Sequence, residues 1–597
     1  MSTTTEHRGA SYLFQDASPE DITTPEDMDE EQRMMMKSIR DFAEKDVMPV
    51  ADEVDARNID VVRPLFEKAG ELGIYMAEVP EELGGLGLNV LGIAGMMESR
   101  SYLGSLSSTV FAHQGIGSGP LINFGTPEQI DKYLEPLMSG KMMAAFALTE
   151  PSSGSDAMNI KTTAILNEAG THFVINGSKQ WITNAGWADL FILFAKVDGQ
   201  QFTAFLCERK FDGVNVQKNE DLLGIRGSSV CPIILEDVHI PVENVLGEIG
   251  KGHLVAMCTL NLGRMKMATN CVGGGKKALV VAAQYAAERL QFGNPIAEFG
   301  AIQTKIADMA ARLYASQSNA YRTAGLVYNA IEAMGEEARK SVDTKLKVMA
   351  EFSIECAFSK VHGSEMVNIL ADHALQVHGG YGYSEEYAPA RMFRDWRIAR
   401  IYEGTSEICR LSSMKAMFRK ARRGELDMDS AIQGVTTSDL ADSSVGQGDD
   451  LESMHRQVLE FKKIFAYMLG QILENVGQEA VMLNENQQYL LNLSDIAIET
   501  YAIESTILRV LKLKAHQPDQ DTELPEALAR LYFEIAADRV RQEATNIATN
   551  LFKGDALREQ LTTLNAWLPL PRKRLDLQKY VAEKVDELQG ALPEYQN

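Results

Sequence analysis

A chain of 597 residues exceeds one ordinary hydrophobic core, and its length predicts roughly three to five structural units. Hydrophobic residues at 45% and charged residues at 24% fit a globular protein and exclude the disordered and fibrous classes. A net charge of -25, with no Lys/Arg stripe interleaved with aromatics, repels polyanions and excludes nucleic acid as a partner.

Residues 1–31 lack an apolar signal core and are acidic where an organelle-targeting leader is basic. A cytoplasmic location is expected, with peripheral contact at the inner face of a membrane left open. No run of about 18 apolar residues predicts a membrane-spanning helix. After this polar arm, residues 28–54 and 61–73 repeat apolar positions at helical spacing (Met35, Ile39, Phe42, Val47), and helical patterns resume over 91–103 and 127–138. From about 146 to 258 the period changes to two, in runs such as THFVINGSKQWIT and CPIILEDVHIP separated by Gly, Asn and Asp. Helical patterns return over 259–421, including 338–375. Residues 424–450 are poor in apolar side chains and predict a flexible linker. Beyond it, amphipathic segments near 451–480, 484–514, 524–552 and 573–589 predict a further helical unit.

The expected fold is therefore α+β and multidomain. It comprises an N-terminal all-α domain with its polar arm (1–145), a middle antiparallel β domain (146–258), a C-terminal four-helix-type α domain (259–423), the linker (424–450) and an extra C-terminal helical domain (451–597). The six cysteines, at 207, 231, 258, 271, 356 and 409, form no CxxC pair and share no metal-ligand spacing with the ten histidines, which predicts a reducing compartment and no metal.

No GxGxxG follows a strand and no GxxxxGK[ST] occurs, so neither a nicotinamide Rossmann fold nor a P-loop has support. Two segments are unusual in composition: TEPSSGSD at 149–156 and KQWITNAG at 179–186. Gly154 permits close backbone approach to a polar ligand and Ser155 can donate a hydrogen bond. A third segment, QVHGGYGYSEEYAPARMFRDWRIARIYEGTSEICR at 376–410, gathers Gly379, Gly380 and Gly382 and places Glu403 just before Gly404, Thr405 and Ser406.

With these segments in this order, and ERLQFGNPIAEFGAIQ at 288–303 between them, the first 421 residues resemble the acyl-CoA dehydrogenase family. The resemblance implies FAD as cofactor and an acyl-CoA substrate. It implies that Phe146, Leu148, Thr149, Gly154 and Ser155 line one side of the flavin, that Trp181, Ile182 and Thr183 pack on its ring, and that Thr405 and Glu407 close over it. Arg289, Gln291, Phe292, Gln376, Gly379 and Gly380 would meet the adenine-diphosphate half of an FAD bound mainly by the neighbouring subunit. Substrate contacts are expected from Ser155, Asn261, Arg264 and Gly404. The segment ENQQYLLNLSDIAIETYAIEST at 485–506 is similar to the very-long-chain branch, whose members carry an extra helical domain and are dimers, so a homodimer is expected.

Abstraction of an α proton from a thioester needs a positioned base, a stabilised enolate oxygen and a hydride acceptor. The resemblance assigns the base to Glu403, whose own N–H would polarise the thioester carbonyl. Relatives that carry their base on an earlier helix do so at the position of Gly263, which has no side chain to serve. The expected reaction is α,β-dehydrogenation of a long-chain acyl-CoA to the trans-2-enoyl-CoA in fatty acid β-oxidation, with electron-transfer flavoprotein as acceptor. The alternatives are an acyl-CoA oxidase using oxygen, and an assembly protein that retains the fold. His378 is expected beside the adenine half, and His113, in FAHQGIGSGP, as a structural donor. Gly115, Gly117 and Gly119 hint at a deep acyl pocket. The basic cluster Lys415, Arg419, Lys420, Arg422 and Arg423 is expected to be a solvated helix end or a contact for anionic lipid.

Overall fold

The structure is a computed structural model that describes residues 8–594 apart from 102, 336–337, 339–340, 436–447 and 449. Its first helix, α1 (Glu30–Phe42), starts at a capping box in which Asp29 accepts from the N–H of Gln32, and it buries Met36, Ile39 and Phe42. The expected helix over 28–54 is interrupted after Phe42 by a π turn, and Pro49 follows in a 3₁₀ turn. Helices α2 (Ala51–Asp55), α3 (Ile59–Glu71), α4 (Val90–Ser99), α5 (Gly104–Phe111), α6 (Gly119–Phe124) and α7 (Pro127–Met138) complete this unit.

Eight strands then form a single sheet: β1 (Ala144–Ala147), β2 (Thr163–Leu166), β3 (His172–Thr183), β4 (Leu190–Val197), β5 (Gln201–Glu208), β6 (Val214–Val216), β7 (Val230–Pro241) and β8 (Val245–Leu246). Their order is β6-β7-β3-β2-β4-β5-β8, with β1 beside β4. The sheet is mostly antiparallel, but β1 and β2 both pair with β4 in parallel. Alternation along one strand carries no information about the direction of its neighbour, so these two pairings were invisible in the pattern.

A 37-residue helix, α8 (Gly252–Glu288), opens the second helical unit. It packs against α9 (Gly300–Ala333) and α11 (Ser353–His378), with α10 (Val342–Glu351) beside them. The helix expected over 338–375 is two helices, broken at Phe352, which leaves the αR region. Helices α12 (Ala388–Trp396) and α13 (Ser406–Arg422) follow. Part of the expected linker is ordered: α14 (Met428–Gly434) starts at an Asp427 cap and buries Met428 in the helical core, while residues 436–447 lie outside the described set. Leu426 is buried in the same core and Ile432 and Val435 pack against it, a handful of apolar side chains that composition averaged over 424–450 hid.

The extension holds α15 (Leu451–Asn475), α16 (Gln487–His516), α17 (Glu523–Leu551), α18 (Gly554–Trp567) and α19 (Leu575–Glu587). Its core is continuous with that of α8, α9 and α11. The N-terminal arm is threaded into this contact. Arg509 of α16 makes a fork onto the Glu26 carboxylate, donates to Gln317 and Ser318, and lies over the Tyr314 ring, with both charged side chains 3% exposed. Beside them Glu504 is shared by Arg322 and Lys462, and Lys512 reaches Asp27 at 2.7 Å. Among the described residues no helix is long and apolar enough to cross a membrane.

Removing one partner of a buried ion pair strands the other charge, at a cost of roughly 3–5 kcal/mol. Glu26→Gln is accordingly expected to lower the urea midpoint of the transition that releases the extension, followed by the fluorescence of Trp567; an unchanged midpoint shows that this contact contributes nothing net.

Candidate active site

The segments singled out at 149–156 and 179–186 meet. Gln180 donates its N–H to the Thr149 carbonyl at 2.9 Å, so the turn lies against the end of β3. Beneath it Lys179 and Glu150 form a buried ion pair at 2.8 Å, and the Glu150 carboxylate also accepts from the N–H groups of Lys161 and Thr162 and from the Thr162 hydroxyl. These contacts hold the Glu150 carboxyl below its ordinary range against the opposing effect of burial. Gly154 and Ser155 stand exposed above, and a Cβ on Gly154 would meet nothing within 4 Å. A register shift between Lys179 and Ile182 puts Trp181 at φ +58° and turns its ring outward, 55% exposed. Thr149 and Thr183 are half-buried beside it. Leu148 and Ile182 are buried in the sheet core, and Phe146 packs edge-on against Phe194, so these three offer mainly backbone to a ligand.

A second group gathers where α8 ends and α11 ends. Arg289, Gln291, His378, Gly379 and Gly380 line a cavity of about 570 Å³ with Tyr285 and Tyr381. His378 stacks on Tyr285 at 4.0 Å and bonds the Ala374 carbonyl through Nδ1. A Cβ at Gly379 or Gly380 would meet nothing within 4 Å, which leaves two peptide faces open to the cavity. Phe292, at the tip of the hairpin formed by β9 (Leu290–Gln291) and β10 (Asn294–Pro295), is 94% exposed, and Gln376 is exposed; neither lines the cavity.

Glu403 ends a loop between α12 and α13 and adopts φ +58°, with Gly404 at φ +90°. A non-glycine residue in the left-handed region is held there by its surroundings. Here the grip comes from behind: Arg264 Nε donates to the Glu403 carbonyl at 3.1 Å, Lys360 Nζ to the Gly404 carbonyl at 2.7 Å, and Cys409 Sγ lies 3.5 Å from the latter. In front, Oε2 of Glu403 has no hydrogen-bond partner, and a Cβ at Gly263 would sit 2.6 Å from it. Gly263 thus leaves the space that the carboxylate fills. Desolvation raises the carboxyl from 4.5 to about 7, opposed by Arg264, Lys360 and Lys266. Thr405 caps α13 by accepting from the Ile408 N–H, and Glu407 is exposed one turn away.

Arg264 also donates to Asn261 Oδ1, and both residues line a cleft of about 1260 Å³ between α8, α9, α10, α13 and the arm. Part of the basic cluster lines that cleft. Lys420 is buried and paired with Glu351 at 2.7 Å, not solvated, because the arm and α10 pack over its end of α13. His113 receives the Ala144 N–H on Nδ1 and bonds the Leu137 carbonyl through Nε2, and burial pushes it down to about 4, so it is neutral and structural. A Cβ at Gly117 would lie 2.8 Å from that of Ala144, so this glycine serves the packing of the N-terminal unit on β1.

A sheet lies between two helical units, and the desolvated Glu403 carboxylate sits where the second of them closes on it. Three family models, for the acyl-CoA dehydrogenase N-terminal, middle and C-terminal domains, match residues 29–141, 145–238 and 250–418, and a further acyl-CoA dehydrogenase C-terminal domain model matches 460–566. A probable acyl-CoA dehydrogenase of Bacillus subtilis is 41% identical over 93% of both chains. The rat very long-chain specific acyl-CoA dehydrogenase is 34% identical over 80% of this chain and 74% of its own. A crystal structure of an acyl-CoA dehydrogenase complexed with FAD from Bacillus anthracis superposes with a TM-score of 0.94 at 39% identity, covering 98% of this chain and 99% of the other. The chain belongs to the acyl-CoA dehydrogenase family of oxidoreductases.

Because the folded pKa of Glu403 lies above the unfolded one, the folded state holds this proton more tightly. That contribution is complete below about pH 4.5 and is lost as pH rises through 7, where the ionised carboxylate costs up to about 3 kcal/mol. Glu403→Gln is therefore expected to melt at a higher temperature than the parent at pH 8 and at the same temperature near pH 4.5; a difference independent of pH contradicts the desolvated site.

Proposed function

We propose that the protein is an FAD-dependent acyl-CoA dehydrogenase that converts a long-chain acyl-CoA to the trans-2-enoyl-CoA in β-oxidation, with Glu403 as general base. The observation that carries this reading is the Glu403 carboxylate. It is poised near neutrality, unpartnered on Oε2 and set against a glycine where a bulkier residue would displace it.

The residues present fit FAD. A large apolar ring turned outward at Trp181 beside the open backbone of Thr149, Gly154 and Ser155 suits a planar ring system. The cavity of Arg289, Gly379 and Gly380 suits a diphosphate, since it combines a guanidinium with unobstructed peptide N–H groups. When bound, FAD supplies the acceptor for the β hydride. The rest falls to the chain. Arg264, with Asn261, would hold the pantetheine arm in the cleft, Ser155 and Gly404 would border the thioester, and the Glu403 N–H would stabilise the developing enolate oxygen. Glu403 Oε2 would take the α proton, and a pKa near 7 matches that work better than an ordinary carboxylate does. Phe292 and the open side of the cavity support a second copy completing the site, hence a homodimer. The long-chain assignment rests on the relatives that share the extension, and electron-transfer flavoprotein is the acceptor this reading requires.

In the purified yellow protein, Glu403→Gln is expected to keep FAD and to bind acyl-CoA while turnover falls at least about a hundredfold. The parent should bleach anaerobically with acyl-CoA and be reoxidised by electron-transfer flavoprotein. Peroxide formation in air at the rate of turnover would mark an oxidase, and full activity in Glu403→Gln would remove the base from this carboxylate.

A further inference from the structure

The buried cation behind the base has no role in the reading so far. Lys360 lies in the middle of α11 with its side chain fully buried. Among the described residues it makes no ion pair with a carboxylate; its ammonium donates to the Gly404 carbonyl. A charge taken out of water without a counter-charge costs several kcal/mol, and a neutral donor could satisfy one carbonyl without that cost. The position therefore needs the charge.

We infer that Lys360 is a positioning residue for the base, pinning the Glu403–Gly404 turn through its backbone and adding, beside Arg264, a fixed positive charge that Glu403 meets when it ionises. This rests on Glu403 being the base. With two successive residues at positive φ, the carbonyls of 403 and 404 are taken by Arg264 of α8 and Lys360 of α11, while the carboxylate lies against Gly263, the neighbour of Arg264 on α8. The groups around the carboxyl are few. From α8 come Arg264 and Lys266; Lys266 is neutralised by Glu78 at 2.6 Å, whereas Arg264 bonds only the neutral Glu403 carbonyl and Asn261 and keeps its charge, the strongest one opposing the shift of the carboxyl. Burial raises the adjacent Tyr402 phenol and the Cys271 thiol, which keeps both neutral. Lys360 comes from α11 and is the second cation here that no carboxylate pairs with. Burial lowers its own pKa, and the Glu403 carboxylate opposes that shift.

The consequence is a restraint on the base. Desolvation raises the carboxyl, and Arg264 together with Lys360 holds it in the range where it can both receive and release a proton.

Two variants separate the two parts of the role. Lys360→Gln keeps a donor and loses the charge; Lys360→Met loses both. The primary readout is the protonation midpoint of Glu403, taken from the infrared carboxyl band that disappears in Glu403→Gln, and it requires no turnover. Both variants are expected to move that midpoint up by about one pH unit. Lys360→Gln should recover most of its kcat at high pH, whereas Lys360→Met should remain at least tenfold down at every pH because the turn is loose. Should Lys360→Met fail to fold, judged by circular dichroism and FAD content, Lys360→Gln decides alone. An unmoved midpoint in a folded variant overturns the inference. Activity in Glu403→Gln would instead overturn the assignment of the base, and the infrared midpoint keeps the two failures apart.

Discussion

The structure turns on one carboxylate kept from water. Lifting Glu403 from 4.5 to about 7 corresponds to roughly 3 kcal/mol of lost solvation that the fold sustains. The surrounding architecture makes that affordable to a marginally stable chain by fixing the loop through its backbone carbonyls, so that no hydrogen bond is spent on Oε2. Oε2 of the carboxyl is left without a hydrogen bond while the carbonyls of its turn are bonded. Gly263 belongs to the same constraint: its missing side chain is occupied volume, filled by the very oxygen that would do the chemistry.

That constraint extends into the extension. Helix α11, which carries Lys360, is covered on its far side by α16 and α17: His362 Nε2 meets the Tyr532 hydroxyl at 2.5 Å, and the same hydroxyl donates to Glu499. Burial pushes His362 down to about 3, which keeps it neutral, so the hydroxyl network adds no second charge near Lys360. On the opposite edge Ser359 and Thr323 bond each other and Thr323 contacts the Tyr501 hydroxyl. The extension thus fixes the helix that fixes the loop. The N-terminal arm locks the extension in turn through Arg509 and Glu26, at opposite ends of the sequence.

Much of this was legible in the chain because it is local. Helical periodicity placed α16 and α17 to within a few residues, and of the two glutamates in EGTSE the resemblance to the family singled out Glu403. What escaped depends on distance. The helix Gly554–Trp567 buries only Thr563, Leu564 and Trp567, too few to impose a period. Lys360 is one lysine on a helix whose apolar residues surround all its faces, and only the fold reveals that its partner is a carbonyl 44 positions away. The pair Lys179 and Glu150 was hidden for the same reason, although each lies within a segment whose composition had drawn attention. Gly117 shows the converse: its smallness was legible, but the cause is contact with Ala144 across a domain boundary and not a roomy pocket.

The outer cavity carries the synthesis one step further. Around it stand Leu290 at 59%, Phe292 at 94% and Tyr383 at 84% exposure, a concentration of apolar surface on a chain of strong negative charge. Solvent-facing aromatics of this density mark a contact surface. The hairpin turn holds the Phe292 backbone at φ +54° and carries its ring out into solvent, edge-on to Phe299. A cofactor lying between two such surfaces would couple assembly to loading. The inner half of the site, with its base already poised in the single chain, would then gain its hydride acceptor only when the outer half is closed.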